Sequence, residues 1–279
     1  MAVPSTERGS RPRSAARWAL LVSAAAVLCS CSSSSSSSST TTTPATTALR
    51  VLVTNDDGYA APGIDAAVQA LRALPHTKVT VVAPLTNQSG TGGKTTPGSL
   101  HVTDVETASG YPAKAVAGYP ADTIVWAIDD HGISFRPDLV VSGINFGENI
   151  GPLADLSGTV GAARAALTRG IPALAVSQGV DNGSSPDFAQ GSKQLTDWVT
   201  AHRTALLAHP VATPIPEGNL NVPTCPDGTV RGPVHTPQAT SLTGIDLGTV
   251  NCSSTATGPA NDAQAFVEGF AVISPLATG

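Results

Sequence analysis

Asn55-Asp56-Asp57-Gly58 is the stretch of this sequence with the clearest chemical meaning. Two adjacent carboxylates repel each other, and partial burial strengthens the repulsion. A bound cation relieves it, and oxygen donors suit Mg²⁺, Mn²⁺ or Ca²⁺. The same four residue types also make an ordinary solvated Asx turn, so the tetrapeptide alone leaves both readings open. The run before it, Val51-Leu52-Val53-Thr54, reads as a buried strand. Gly58, Pro62 and Gly63 then interrupt the chain before a helical segment over 64–74. The acids therefore fall at the carboxyl end of a first strand, where open α/β sheets bind ligands.

The elements that must position them follow from the same reading. Residues 78–83 form a second strand, and strand–helix–strand makes a parallel βαβ unit. The loop over 85–98 then lies on the same edge as Asp56 and Asp57. Within it, Ser89-Gly90-Thr91-Gly92-Gly93-Lys94-Thr95 superficially matches a P-loop. Gln88 stands where that motif needs glycine, and Pro97 opposes the helix that should follow, so a P-loop is excluded. The loop still offers hydroxyls and backbone N–H groups to a metal or phosphate. A strand over 139–142 delivers Asn145 to this edge. Ser157 caps an Ala-rich helix reaching about residue 169, and Gly158 lets an anion approach the free N–H groups at its start. Elsewhere the pattern predicts a hairpin over 100–105 and 114–116 and a helix over 120–130. It also predicts a strand over 171–177, an amphipathic helix over 187–209 and strands over 219–223 and 266–275. Residues 223–259 read as loop.

Asp56, Asp57, Ser89 and Asn145 together supply four oxygen donors and leave positions open for water and substrate. A phosphate fits the helix start at Ser157. Such a set suits metal-assisted hydrolysis of a phosphomonoester. No Gly-x-Ser-x-Gly elbow is present, and none of the six histidines sits in a triad setting, so a serine hydrolase is disfavoured.

The chain has 279 residues, 41% of them hydrophobic and 13% charged, enough for one large α/β domain with a real core. Its net charge of −5 gives no basic footprint for a nucleic-acid polymer. Residues 1–30 combine Arg8, Arg11, Arg13 and Arg17 with an apolar run from Trp18 to Leu28, the pattern of a signal peptide. Leu28-Cys29-Ser30-Cys31 resembles a bacterial lipobox, with Cys31 as the lipidated residue; plain secretion is the alternative. Residues 31–48 are a Ser/Thr-rich tether, and 49–279 are the folded domain. Residues 1–30 hold four Arg and one Glu, so the remainder carries 11 basic and 19 acidic residues, a net charge of −8. Cys225 and Cys252 lack metal-ligand spacing, and in an exported protein they suggest a disulfide; two free thiols are the alternative.

An ordered set of blocks resembles the SurE family of metal-dependent 5′/3′-nucleotidases. The blocks are Val-Thr-Asn-Asp-Asp-Gly with Ala61-Pro62-Gly63, Val-Val-Ala-Pro with Asn87-Gln88-Ser89-Gly90, and Gly118-Tyr119-Pro120-Ala121-Asp122. They continue with Pro137-Asp138-Leu139 through Ser142-Gly143-Ile144-Asn145 and Ser157-Gly158-Thr159-Val160. Weaker matches are Leu220-Asn221-Val222-Pro223 and a stretch over 262–276. The resemblance implies a Rossmann-like three-layer α/β sandwich with a mostly parallel sheet and an extended C-terminal segment, usually dimeric. It implies one divalent metal, Mg²⁺ or Mn²⁺, on Asp56, Asp57, Ser89 and Asn145. It implies catalytic roles for Asp56, Asp57 and Asn145, and phosphate or substrate contacts from Asn55, Gly90, Ser157, Gly158 and Thr159. The substrate would be a nucleoside monophosphate, with the membrane touched only through the lipid anchor. Glu148 stands where the family usually has Pro, Leu156 replaces a common Tyr, and Gln88 a common Arg. The rival reading is a non-catalytic nucleotide- or phosphate-binding lipoprotein on the same fold.

Overall fold

The computed structural model describes residues 47–180, 186, 188–208 and 218–276. The expected signal peptide, Cys31 and nearly all of the tether lie outside the described residues. All described elements belong to the unit Ala45–Gly279.

Strand β1 (Leu49–Thr54) is apolar because both of its faces are covered. Leu49, Val51 and Val53 enter one core and Leu52 the opposite one, the two-residue alternation of a strand. Helix α1 (Pro62–Ala73) starts with proline in its first turn, where the missing N–H has no helical partner to lose. It buries Ile64, Ala67, Val68 and Leu71 against the first core. Strand β2 (Thr77–Pro84) pairs parallel to β1. Strands β3 (Val102–Glu106) and β4 (Pro112–Val116) form the expected antiparallel hairpin, and β4 adds parallel to β2.

The predicted helix over 120–130 is α2 (Pro120–Ile124) continued by a π-helical turn, Val125–Asp129. Strand β5 (Leu139–Phe146) pairs parallel to the other side of β1. It is longer than the apolar run suggested. Its register against the next strand shifts between Ser142 and Asn145, so Asn145 is a strand residue, not a loop residue. A short helix, α3 (Leu153–Leu156), leads into α4 (Gly158–Leu167), and Gly170 follows with φ +66°. Strand β6 (Ala173–Gln178), helix α5 (Ala189–Leu206) and strand β7 (Gly218–Val222) complete the parallel half. Phe188, Leu195, Trp198, Val199 and Leu206 of the predicted apolar face are buried in the first core.

The C-terminal stretch differs most from expectation. Residues expected as loop contain β8 (Arg231–His235). The expected strand over 266–275 is helix α6 (Asp262–Val267) followed by β9 (Phe270–Pro275). Asn261 caps α6 by accepting from Gln264 N–H, a signal that the apolar run of 266–275 masked. Cys225 and Cys252 are joined, which staples this segment.

The sheet order is β3-β4-β2-β1-β5-β6-β7-β9-β8. Among the described strands only β3/β4 and β7/β9 are antiparallel. Helices α1 and α5 cover one face, and α2 and α4 the other. The chain winds outward from β1 in both directions, so the crevice between the carboxyl ends of β1 and β5 is the topological switch point.

Helices α3 and α4 also hold the glycine-rich loop. Gly92 N–H donates to Leu156 O at 2.9 Å. A Cβ on Gly161 would lie 2.1 Å from Gly92 O, so only glycine admits this approach. Gly161→Ala is therefore expected to cost about 1–3 kcal/mol through overpacking, read as a lower denaturant midpoint at unchanged m. An unchanged midpoint would show that the loop does not rest on α4 in solution.

Candidate active site

Asn55, Asp56 and Asp57 leave β1 in a turn that the chain ties internally. Asn55 Nδ2 donates to Gly58 O at 2.9 Å, and Gly58 N–H donates back to Asn55 Oδ1 at 3.3 Å. Gly58 has φ +100°, which L side chains rarely adopt. Asn55 thus shapes the turn that presents the two acids.

Asp56 is only 3% exposed. Its Oδ1 accepts from Thr159 Oγ1 at 2.6 Å. Backbone N–H groups of Gly158 and Thr159 also serve this carboxylate. A Cβ on Gly158 would fall 2.8 Å from Asp56 Cβ, so glycine is what lets the acid reach the helix end. Asp56 is the anion at the N-terminus of α4, where the dipole and open N–H groups favour negative charge. Ser157 is the N-cap, its Oγ accepting from Val160 N–H at 3.1 Å. Burial pushes the Asp56 carboxyl above its ordinary value, and the bonds from Thr159 and Gly158 oppose that push.

Asp57 turns the other way. Its Oδ2 accepts from Phe146 N–H at 3.0 Å and its Oδ1 from Asn87 Nδ2 at 3.2 Å. Burial pushes its pKa up to about 6, helped by the charge of Asp56 and opposed by the Phe146 N–H. Among the described residues, neither acid has an ion-pair partner within 4.0 Å.

Asp57 and Ser89 line one cavity of about 380 Å³, together with Ala61, Pro62, Gly63, Asn87, Phe146 and Phe188. Asn87 Oδ1 accepts from Ser89 N–H at 3.0 Å, so one amide orients both residues. Asn145 is buried at 7% exposure, and its Nδ2 donates to Phe146 O and Gly147 O. That commits the amide nitrogen and leaves Oδ1 as the atom available to a ligand. Gly90 is exposed, with open space where a Cβ would stand. Glu148 does not line this cavity; it accepts from Val180 N–H at 3.4 Å, and burial raises its pKa. A larger cavity of about 510 Å³ beside Ile128, His131 and Arg136 is lined by no carboxylate.

The structure therefore brings Asp57 and Ser89 together at the open cavity, with Asp56 buried next to Asp57 in the chain and Asn145 buried next to Phe146, which lines the same cavity. Ser157, Gly158 and Thr159 face inward, and the latter two hold Asp56. Asn87 was missed as a site residue, although an Asn two residues before Ser89 is the Asx-turn spacing that would have flagged it. Asp122 was missed too. Its carboxylate accepts from Tyr119 N–H (2.7 Å), Thr96 N–H (2.9 Å) and Thr96 Oγ1 (2.7 Å), tying the loop after β2 to the start of α2.

Among the described residues, no three His, Cys, Asp or Glu side chains meet as a metal centre. The donors here are two carboxylates, a hydroxyl and an amide oxygen, a hard set that fits Mg²⁺ or Mn²⁺. Two adjacent carboxylates without a described cation fit such an ion for the same reason.

With this geometry in view, the comparisons are specific. The family profile described as Survival protein SurE matches residues 51–244. The chain belongs to the SurE family. The 5′-nucleotidase SurE of Methanopyrus kandleri is 43% identical over 171 residues, 56% of this chain and 62% of that protein. The 5′-nucleotidase SurE of Pelobacter propionicus is 40% identical over 196 residues, 68% of this chain and 72% of that one. The crystal structure of the SurE protein from Aquifex aeolicus superposes with a TM-score of 0.64 at 26% identity. That match covers 82% of this chain and 94% of the Aquifex chain.

Two predictions follow from the acids. Thr159→Val removes the hydroxyl donor of a buried carboxylate and should cost about 1–3 kcal/mol of stability, measured by urea unfolding; a loss under 0.5 kcal/mol would contradict the bond. In metal-free protein, Asp57 binds its proton more tightly folded (about 6) than unfolded (about 3.9, the ordinary value). The folded state then holds more protons between those values, so this group's contribution to stability falls as pH rises through that window. The stability of Asp57→Asn relative to the parent should accordingly improve from pH 4 to pH 7. A flat difference would contradict the raised value.

Proposed function

We propose that this protein is a divalent-metal-dependent phosphomonoesterase that hydrolyses nucleoside 5′-monophosphates, and 3′-monophosphates as a second class, to nucleoside and phosphate. The observation that carries the reading is the Asp56–Asp57 pair at the switch point, with no Lys, Arg or His ion-pair partner among the described residues and with Asp57 and Ser89 open to one cavity. The relatives named as 5′-nucleotidases, at 43% and 40% identity, support the substrate class.

Asp56, Asp57, Ser89 and Asn145 would hold the metal, Mg²⁺ or Mn²⁺. When bound, such an ion polarises a phosphoryl oxygen and lowers the pKa of a coordinated water. The chain's own contributions are distinct from this. Asn87 and the Phe146 N–H fix the orientation of Asp57. Thr159 and the end of α4 hold the Asp56 carboxyl in place and oppose the upward push of burial. The exposed loop offers the Ser89 hydroxyl and the Gly90 backbone to phosphoryl oxygens, where donors aimed at developing charge lower the barrier. The Ser157 hydroxyl, which accepts from Val160, still has its own proton to donate.

We extend the reading to location: an exported protein anchored through Cys31, with secretion without an anchor as the alternative. The Cys225–Cys252 crosslink supports an oxidising compartment. Among the described residues no helix is long and apolar enough to cross a membrane. Homodimer formation is carried by the resemblance alone.

The test is phosphate release from AMP, 3′-AMP and an aryl phosphate by metal-stripped protein given back Mg²⁺ or Mn²⁺. Metal-dependent release is expected, lowered more than about 100-fold in the Asp56→Asn, Asp57→Asn double variant, beyond what outer-shell changes cost. Folded protein that releases no phosphate with either ion would overturn the reading in favour of a non-catalytic binding lipoprotein.

A further inference from the structure

Four large apolar side chains are exposed among the described residues: Leu85, Phe146, Leu153 and Leu156. Leu85 follows β2, Phe146 ends β5, and Leu153 and Leu156 belong to α3. Phe146 differs from the leucines because it lines the same cavity as Asp57 and Ser89.

Strand alternation explains its position. Asn145 points inward at 7% exposure, and the next residue, Phe146, points outward at 47%. The ring is not left on a loose loop. Phe146 N–H donates to Asp57 Oδ2, and Phe146 O and Gly147 O accept from Asn145 Nδ2. The residue is thus anchored by two of the four side chains proposed to hold the metal, and it lines the cavity with one of them, Asp57. Ala61, Pro62, Gly63 and Phe188 line the same cavity, and a Cβ on Gly63 would sit 3.0 Å from Phe188 Cε1. The cavity is apolar along this wall and acidic at Asp57.

We propose that Phe146 is the platform on which the nucleobase of the substrate stacks, and so the residue that makes this phosphatase prefer nucleotides to base-free phosphate esters. This rests on the phosphomonoesterase reading above. At about 380 Å³ the cavity is in the size range of small-ligand sites. An ester whose phosphate is at Asp57 and Ser89 brings its leaving group against the ring. Stacking is indifferent to base identity, because every base has a π-face. The lining adds little to read a base edge: the Asn87 amide already donates to Asp57 and accepts from Ser89. Recognition is therefore of an aromatic base as a class, adenine and guanine alike.

The experiment compares kcat/KM for AMP and GMP with kcat/KM for ribose 5-phosphate, which keeps the sugar and ester and lacks the base. It uses the full mature chain with Mn²⁺, as parent, Phe146→Ala and Phe146→Trp. Because the Phe146 backbone also holds Asp57, the readout is the nucleotide-to-ribose-phosphate ratio, in which a general loss cancels. The ratio should fall about 5- to 100-fold in Phe146→Ala, the range for losing one base–aromatic stack, and Phe146→Trp should restore it. An unchanged ratio in Phe146→Ala, with the esters still hydrolysed, overturns this proposal alone. Absence of turnover of every ester by folded parent overturns the phosphatase reading and this proposal with it.

Discussion

The carboxylate of Asp56 rests on the open end of helix α4, and much of the site depends on that contact. The bond from Thr159 joins residues 103 positions apart, from the first strand to the fourth helix. It places a carboxyl group against the helix end, where the dipole and open N–H groups favour its charged form. Burial alone would neutralise such an acid. The donors of Gly158 and Thr159 oppose that outcome. Asp57, opposed only by the Phe146 N–H, is pushed by burial up to about 6. The pair is thus electrostatically asymmetric, with one acid sunk against a helix and the other facing a cavity.

The surrounding fold holds this arrangement in place from several directions. Asn87 spans Asp57 and Ser89, and Gln88 N–H donates to Asp56 O at 2.7 Å. The loop after β2 is therefore bound to the turn after β1 by two adjacent residues pointing opposite ways. Asp122 pins the far end of the same loop. Gly161 and Gly92 bring its middle against α4. The loop that resembled a P-loop is not one, and it cradles no helix of its own. It is held by helix α4 from a different βα unit.

Much of this was legible in the sequence, for identifiable reasons. The first two strands and the helix between them carry unmixed signals: apolar runs, then Pro and Gly breaks, then helical spacing. Ser157 is a side-chain cap with a local partner three residues on, so its role is visible locally. The position of Asn145 was less visible, because a register shift after Ser142 extends β5 past its apolar run. The use of α4 for Asp56 could not be read, since it depends on contacts across the whole parallel sheet. The segment after β7 was the least legible. Polar strand β8 sits at the sheet edge, where one side needs no burial, and α6 begins from a cap at Asn261, ahead of the apolar run that reads as a strand.

The most direct measurement is calorimetric titration of Mn²⁺ into metal-stripped protein at pH 7.5, beside the Asp56→Asn, Asp57→Asn variant. The account predicts saturable binding of one ion per chain, lost in the variant while its fold is retained by circular dichroism. Binding of the same strength in both proteins would contradict the claim that the paired acids are a cation seat.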